Sequence, residues 1–176
     1  MKKLCIGIAS LMVMMFLGCA GTQVKRVSEP QLDITGKKIF VIVDEPSMYE
    51  NLTLGLDSVW ASHTSLNLET QFIYNQALTI TPVTVPHVVG QCAGSYAMLI
   101  RVGSINKSSS SDGFLGDNYS SVSTVEYVST MYSCDTRKIV WKMIVQTNGG
   151  FPKMAKSELV MSIAKDFQTN NIVRSK

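Results

Sequence analysis

The sequence has few of the side chains from which catalytic and metal sites are usually built. Its 176 residues include two histidines and four cysteines, and they contain no Gly-x-Ser-x-Gly motif, phosphate-binding loop or Gly-x-Gly-x-x-Gly motif. Neither His63 nor His87 has the spacing from a cysteine that a metal site requires. We therefore expect no catalytic residue, no metal and no cofactor. An enzyme would need a cleft that unites one of these histidines with a carboxylate and a serine.

An excess of charge of one sign is also missing. The 16 basic and 13 acidic residues leave a formal net charge of +3, and the basic residues are scattered without interleaved aromatics. This pattern excludes a typical nucleic-acid-binding surface. Asp112-Gly113 and Asp117-Asn118 do not have the spacing of an EF-hand loop, so they predict no calcium site. The apolar fraction of 45 % is enough for one domain with a hydrophobic core.

The N-terminus has the pattern of a secretory signal. Two lysines precede an apolar run from Leu4 to Leu17, which is shorter than the about 20 residues of a membrane-spanning helix. The following Phe16-Leu17-Gly18-Cys19 resembles the lipobox of bacterial lipoproteins. This resemblance implies cleavage before Cys19 and attachment of lipid to that cysteine. It also implies an outer-membrane anchor on the periplasmic face, because Ala20 replaces the Asp that retains such proteins in the inner membrane. The alternatives are the inner membrane, or an ordinary signal peptide with an unmodified cysteine.

Two of the four cysteines remain for the folded part of the chain. Cys5 is in the signal, and Cys19 would carry lipid, so Cys92 and Cys134 are an even pair in an oxidising compartment. A hairpin loop centred near Gly113 would place these two cysteines opposite each other. We therefore predict a Cys92–Cys134 disulfide worth roughly 4 kcal/mol in the chain-entropy model. A reactive thiol or half of a metal site is the alternative.

The remaining pattern predicts an α+β fold, with a mostly antiparallel sheet of about five strands and two helices on one face. Apolar spacing and a Ser-x-x-Glu capping signal indicate a helix over about 48–64, and a second apolar stripe indicates a helix that follows Pro152. Pro82 and Pro86 make 78–89 an edge strand or an extended connector. Strands are predicted at 38–43, 68–74, 95–105, 122–134 and 138–147, the last two joined as a hairpin. The predicted organisation is a signal peptide at 1–18, a lipidated tether at 19–36 and one periplasmic domain at 37–176.

The function expected from the sequence is interaction rather than chemistry. A serine- and glycine-rich loop at 106–121 is the candidate interaction segment, with Ser108, Asp112, Phe114, Asp117 and Tyr119 as its candidate contact residues. The hairpin at 132–141, with its Asp-containing turn and Val140-Trp141, resembles that of small Gram-negative envelope lipoproteins. This resemblance implies a non-catalytic adaptor in envelope assembly or transport, held to the membrane by lipid, with an envelope protein as partner.

A periplasmic carrier for a lipid or glycan fragment is the alternative function. Such a carrier would need a sizeable apolar pocket between helices and sheet, lined by residues such as Met98, Trp141 and Phe167. Trp60 and Trp141 both lie on apolar stripes, which predicts that they pack in the core and do not stack on a ligand.

Overall fold

A computed structural model describes residues 23–44, 55–76, 78–109, 120–148 and 152–174. Outside these ranges lie the signal peptide, the predicted lipidation site Cys19 and the capping signal near residue 47. Four of the five candidate contact residues also lie outside them: Asp112, Phe114, Asp117 and Tyr119. Ser108 lies in a strand, and its side chain is not among those described. No helix in the described ranges is both long and apolar enough to span a membrane.

The described chain forms six strands and three helices. In chain order they are β1 (Gln23–Ser28), β2 (Lys38–Asp44), α1 (Leu56–His63), β3 (Glu69–Asn75), α2 (Val85–Val89), β4 (Tyr96–Ser109), β5 (Ser120–Ser133), β6 (Ile139–Asn148) and α3 (Pro152–Thr169). The first helix begins directly after Gly55, whose φ of 79° lies in the left-handed region that glycine adopts without strain.

All six strands form one mixed sheet in the order β1-β6-β5-β4-β2-β3. The pairings of β1, β6, β5 and β4 are antiparallel, whereas β2 is parallel to both β3 and β4. The α+β class is therefore confirmed, and the sheet is larger and more mixed than the sequence predicts. The parallel part arises because β2 and β3 are joined through α1, and a crossover of this kind returns the chain in the same direction.

The helices α1 and α3 cover one face of the sheet, as predicted. Trp60 from α1 and Phe167 from α3 belong to the same buried cluster as Trp141 from β6, whose ring centroid lies 5.2 Å from that of Phe167. Trp60 is 5 % exposed and Trp141 is fully buried, which confirms that both tryptophans pack in the core. We call this the helix face of the sheet, and the opposite one the open face.

Among the described residues, the open face carries only the short helix α2. Its Val88 and Val89 pack on Ile42 and Ala97 in a second, smaller buried cluster. The prediction of an extended segment over 78–89 is wrong for this part, because 85–89 is helical. Pro86 is compatible with the first turn of a helix, where the backbone N–H has no partner within the helix.

The predicted tether at 19–36 is also corrected where it is described. Its residues 23–28 form β1, which pairs antiparallel with β6 along its whole length. Farther along, Ile34 is fully buried, and its N–H donates to the carbonyl of Ile172 at 2.9 Å. The sequence did not predict β1 because its composition is polar. An edge strand is held by backbone hydrogen bonds and needs few apolar residues.

The disulfide between Cys92 and Cys134 is confirmed, with the two Cα atoms 5.7 Å apart. The hairpin register used to predict it is wrong. A centre near Gly113 would place Val128 opposite Met98, whereas Met131 lies there. The two cysteines still meet because Cys134 continues the register of β5, with its N–H donating to the carbonyl of Ser95 at 3.1 Å. Cys92 lies in the turn before β4, where its carbonyl accepts from the N–H of Ser95 at 3.0 Å, and this turn brings it beside Cys134.

Candidate functional site: an open edge beside a groove

The structure places the two histidines on opposite faces of the sheet. His63 is exposed at the end of α1, where its Nδ1 lies 2.7 Å from Ser62 Oγ and 3.1 Å from the carbonyl oxygen of Val59. His87 is exposed on α2, on the open face. In the described ranges, no three His, Cys, Asp or Glu side chains are placed to hold a metal ion.

The residues proposed to line a carrier pocket are packed together. Met98, Trp141 and Phe167 are each fully buried, and they belong to one core cluster between the sheet and the helices. The surface cavities of about 370, 310, 290 and 250 Å³ formed by the described residues are lined by other side chains. The carrier hypothesis therefore loses the pocket on which it depended.

The strand β1 has an unpaired edge at one side of the sheet. The N–H of Glu29 donates to the carbonyl of Val140 at 2.8 Å, so the backbone of Glu29 is directed towards β6. Because these directions alternate along an antiparallel strand, the backbone groups of Val24, Arg26 and Ser28 point away from the sheet. In the described part of the chain β1 is the last strand on this side, so this edge can accept another strand.

A groove of about 370 Å³ runs beside this edge, between β1 and α3. Val24 and Met143 contribute an apolar floor, and α3 contributes Ser162, Lys165, Thr169 and Asn170. Val24 itself is 45 % exposed. Every second side chain of a strand added to β1 would point towards the helix face, and these side chains would enter the groove.

Asp166 fixes the geometry of the groove. Its carboxylate accepts a hydrogen bond from Trp141 Nε1 at 2.9 Å, one from Arg26 Nη1 at 3.2 Å and one from Asn170 Nδ2 at 3.1 Å. The Asp166 side chain is only 10 % exposed, and it connects α3 to both β6 and β1. Three donors therefore share this carboxylate, and their hydrogen bonds hold β1 and β6 against α3.

The sequence could have pointed to Asp166 but not to β1. The indole N–H of a tryptophan on a core stripe needs an acceptor, and Asp166 directly precedes the core residue Phe167 on the predicted last helix. For β1, the two valines of Gln23–Ser28 point to opposite faces of the sheet, so no alternation of apolar and polar residues marks the strand.

The chain matches no known family model, and no curated protein matches it. Among solved structures it is similar to a PelC dodecamer from Paraburkholderia phytofirmans, with 12 % identity, a TM-score of 0.51 and coverage of 81 % of this chain and 95 % of that one. The protein XCC0632 from Xanthomonas campestris aligns over 82 % of this chain and 91 % of its own, at 8 % identity and a TM-score of 0.37. The first likeness concerns the fold alone, and the second is too weak to carry an argument.

Proposed function

We propose that this protein is a lipid-anchored, non-catalytic interaction module of the Gram-negative envelope that docks an extended protein segment on the edge of β1. The observation that carries the proposal is the unpaired edge of β1 beside a groove of about 370 Å³. Added strands obtain affinity from backbone hydrogen bonds, and they obtain specificity from pockets that receive alternate side chains. Here the outward backbone groups of Val24, Arg26 and Ser28 would supply the affinity, and the groove would supply the specificity.

The anchor and the docking edge are close in sequence. Cys19, which the lipobox resemblance marks for lipidation, precedes the first residue of β1 by four positions. A docked partner would thus be held near the membrane surface. The similar solved structure is that of a PelC dodecamer, so a fold of this kind occurs in a multi-subunit assembly, which supports interaction as the role of this one.

The anchor is tested with the full-length chain in a Gram-negative host. We expect the wild-type protein to fractionate with the outer membrane and its N-terminal peptide to have the mass of a lipid-modified cysteine. The variant Cys19→Ala should lose both properties, because acyl chains supply most of the membrane affinity. A wild-type chain without lipid, or a Cys19→Ala variant that stays in the membrane fraction, contradicts the anchor.

The docking edge is tested by Val24→Pro, which removes an N–H that points away from β6 and leaves the β1–β6 hydrogen bonds in place. Val24→Thr is the matched control, because it keeps that N–H and a β-branched side chain. After crosslinking in intact cells, we expect partner proteins to be recovered with the wild type and with Val24→Thr, and to be lost with Val24→Pro. Equal recovery with all three forms argues against β1 as the docking edge.

A further inference from the structure

The sheet has a second unpaired edge, on the outer side of β3. The N–H of Glu69 donates to the carbonyl of Lys37 at 3.3 Å, so the backbone of Glu69 is directed towards the β2 side. In a parallel strand alternate residues bond to opposite sides, so the backbone groups of Thr70 and Phe72 point outwards. In the described ranges β3 is the last strand on this side, as β1 is on the other.

The two edges have matching directions. The strands β6 and β4 both run antiparallel to β5, and β4, β2 and β3 run parallel to one another. Since β1 is antiparallel to β6, it is also antiparallel to β3. If two copies stand side by side with the same strand directions, β1 of one copy therefore meets β3 of the next as an antiparallel pair.

The two edges also match in the faces of their side chains. On β1, the outward backbone groups belong to residues such as Val24 and Arg26, whose side chains lie on the helix face across from the core residues of β6. On β3, they belong to Thr70 and Phe72, whose side chains lie on the helix face as well. Antiparallel partners place their side chains on the same face, so this pairing continues the sheet with all helices on one side.

Charge is complementary across such a junction. Lys25 lies on β1 beside Arg26, which is already paired with Asp166 at 3.2 Å, and Lys165 lies at the adjoining groove. The other edge has Glu69, whose side chain is 70 % exposed, and the exposed Asp57 of α1, whose carboxylate also accepts a hydrogen bond from the Tyr74 hydroxyl at 2.8 Å. Glu69 already contacts Lys38 at 3.0 Å, but an exposed ion pair of this kind contributes only about 0–1 kcal/mol and can rearrange.

We infer that the occupant of the β1 edge is β3 of a second copy of this chain, paired antiparallel and repeated head to tail. The inference rests on the proposed function, in which β1 is a docking edge, and it names the partner. Helix α1 packs beside β3, where the ring centroids of Trp60 and Phe72 are 6.2 Å apart. The α1 helix of the second copy would therefore lie over the groove next to α3. A repeated contact between two different surfaces closes into a ring or grows as a filament.

The test uses two variants of the full-length protein, purified in mild detergent. Val24→Pro blocks the β1 edge, and Thr70→Pro blocks the β3 edge; each removes an outward N–H. Val24→Thr and Thr70→Val are the matched controls. By native mass spectrometry we expect oligomers from the wild type and the controls, and monomers from each proline variant. An equimolar mixture of the two proline variants should give a heterodimer and nothing larger, because one intact β3 edge can meet one intact β1 edge.

Several results would overturn the inference. A monomeric wild type, oligomers of either proline variant alone, or a mixture that stays monomeric each exclude head-to-tail pairing of these edges. If Val24→Pro abolishes recovery of an envelope protein while the wild type is monomeric and Thr70→Pro has no effect, the proposed docking edge stands and the second copy is the wrong partner. If Val24→Pro changes neither oligomers nor recovery, both proposals fail.

Charge reversal provides a second test that does not depend on proline in a strand. Lys165→Glu or Asp57→Lys alone should weaken oligomer formation, by up to about five-fold for a pair at the rim of an interface. The two reversals combined should restore the wild-type distribution of oligomers. Lack of rescue would place these two side chains away from the junction, and it would contradict the arrangement of α1 over the groove.

Discussion

The variant Asp166→Ala tests whether the hydrogen bonds of this carboxylate hold β1 and α3 to the core. The substitution leaves the indole N–H of Trp141, a fully buried residue, without its acceptor at 2.9 Å. It also removes the partner of Arg26 at 3.2 Å. Both losses lower the free energy of unfolding, and the second loosens β1, the strand that forms the proposed docking edge.

The magnitude follows from the burial of each group. A hydrogen bond to a charged acceptor contributes about 1.5–3 kcal/mol, and the buried N–H retains its desolvation cost when the acceptor is lost. The contact with Arg26 is partly exposed, with 29 % of that side chain accessible, and contributes at most about 1 kcal/mol. We expect Asp166→Ala to lower the free energy of unfolding by about 2–4 kcal/mol.

The assay is urea unfolding at neutral pH, followed by tryptophan fluorescence and far-UV circular dichroism. Asp166→Asn is the matched control: its carbonyl oxygen still accepts from Trp141, so it should lose only about 1 kcal/mol. Arg26→Met, which keeps most of the aliphatic chain, should lose a similar amount or less. If Asp166→Ala lies within about 0.5 kcal/mol of the wild type, as an ordinary surface substitution does, the reasoning about Asp166 is refuted.

Three further predictions concern other parts of the fold. Replacing both Cys92 and Cys134 with Ala should lower the free energy of unfolding by about 4 kcal/mol, and a reductant should then have no further effect. The buried amide of Asn75 makes two backbone hydrogen bonds, at 2.7 and 2.9 Å, so Asn75→Ala should cost about 1–3 kcal/mol in the same urea assay, and a neutral result would contradict this. Hydrogen bonds from Thr35 lower the pKa of Asp33 below its usual 3.8. The wild type should therefore be more stable than Asp33→Asn at pH 7, the difference should vanish as pH falls through the lowered pKa, and a difference that persists in acid would refute this.

The sequence predicts the elements that contact the core and loses accuracy at the margins of the sheet. The apolar stripe of α3, including Leu159, Ile163 and Phe167, is buried as its spacing predicts. The hairpin joined at 135–137 and the disulfide are also present. These features depend on local periodicity, or on the pairing of two cysteines that have few alternative partners. Both can be predicted from a single sequence.

The errors have a common physical origin. Strand β1 is almost wholly exposed, so it needs few apolar residues and has no apolar pattern that would predict a strand. Helix α2 is so short that two prolines outweigh its apolar pattern. The β4–β5 hairpin has the same register beside its loop, where Ser109 lies opposite Ser120, as it has at Met98 and Met131. The irregularities near Val102 and Asn106 therefore cancel, and the error lies in the loop centre assumed from composition. The candidate docking edge is made of backbone groups, and therefore it becomes visible only when the order of the strands is known.

The position of the predicted anchor adds a constraint on how copies of this protein can pair. Cys19 precedes β1 by four residues, a reach of at most about 13 Å, so a lipid on Cys19 would place the membrane beyond the end of the sheet where β1 begins. Pairing of β1 with β3 of another copy would keep the strand directions, so every lipid would lie at the same end and the proposed assembly would grow parallel to the membrane. Antiparallel pairing of β1 with β1 would reverse one copy and place the two anchors at opposite ends of the joined sheet. One membrane cannot hold both anchors in that arrangement without detaching one copy or bending the tether back along the sheet. The proposed lipidation of Cys19 would therefore favour head-to-tail pairing, and Cys19→Ala should remove this restriction while leaving the strand edges intact.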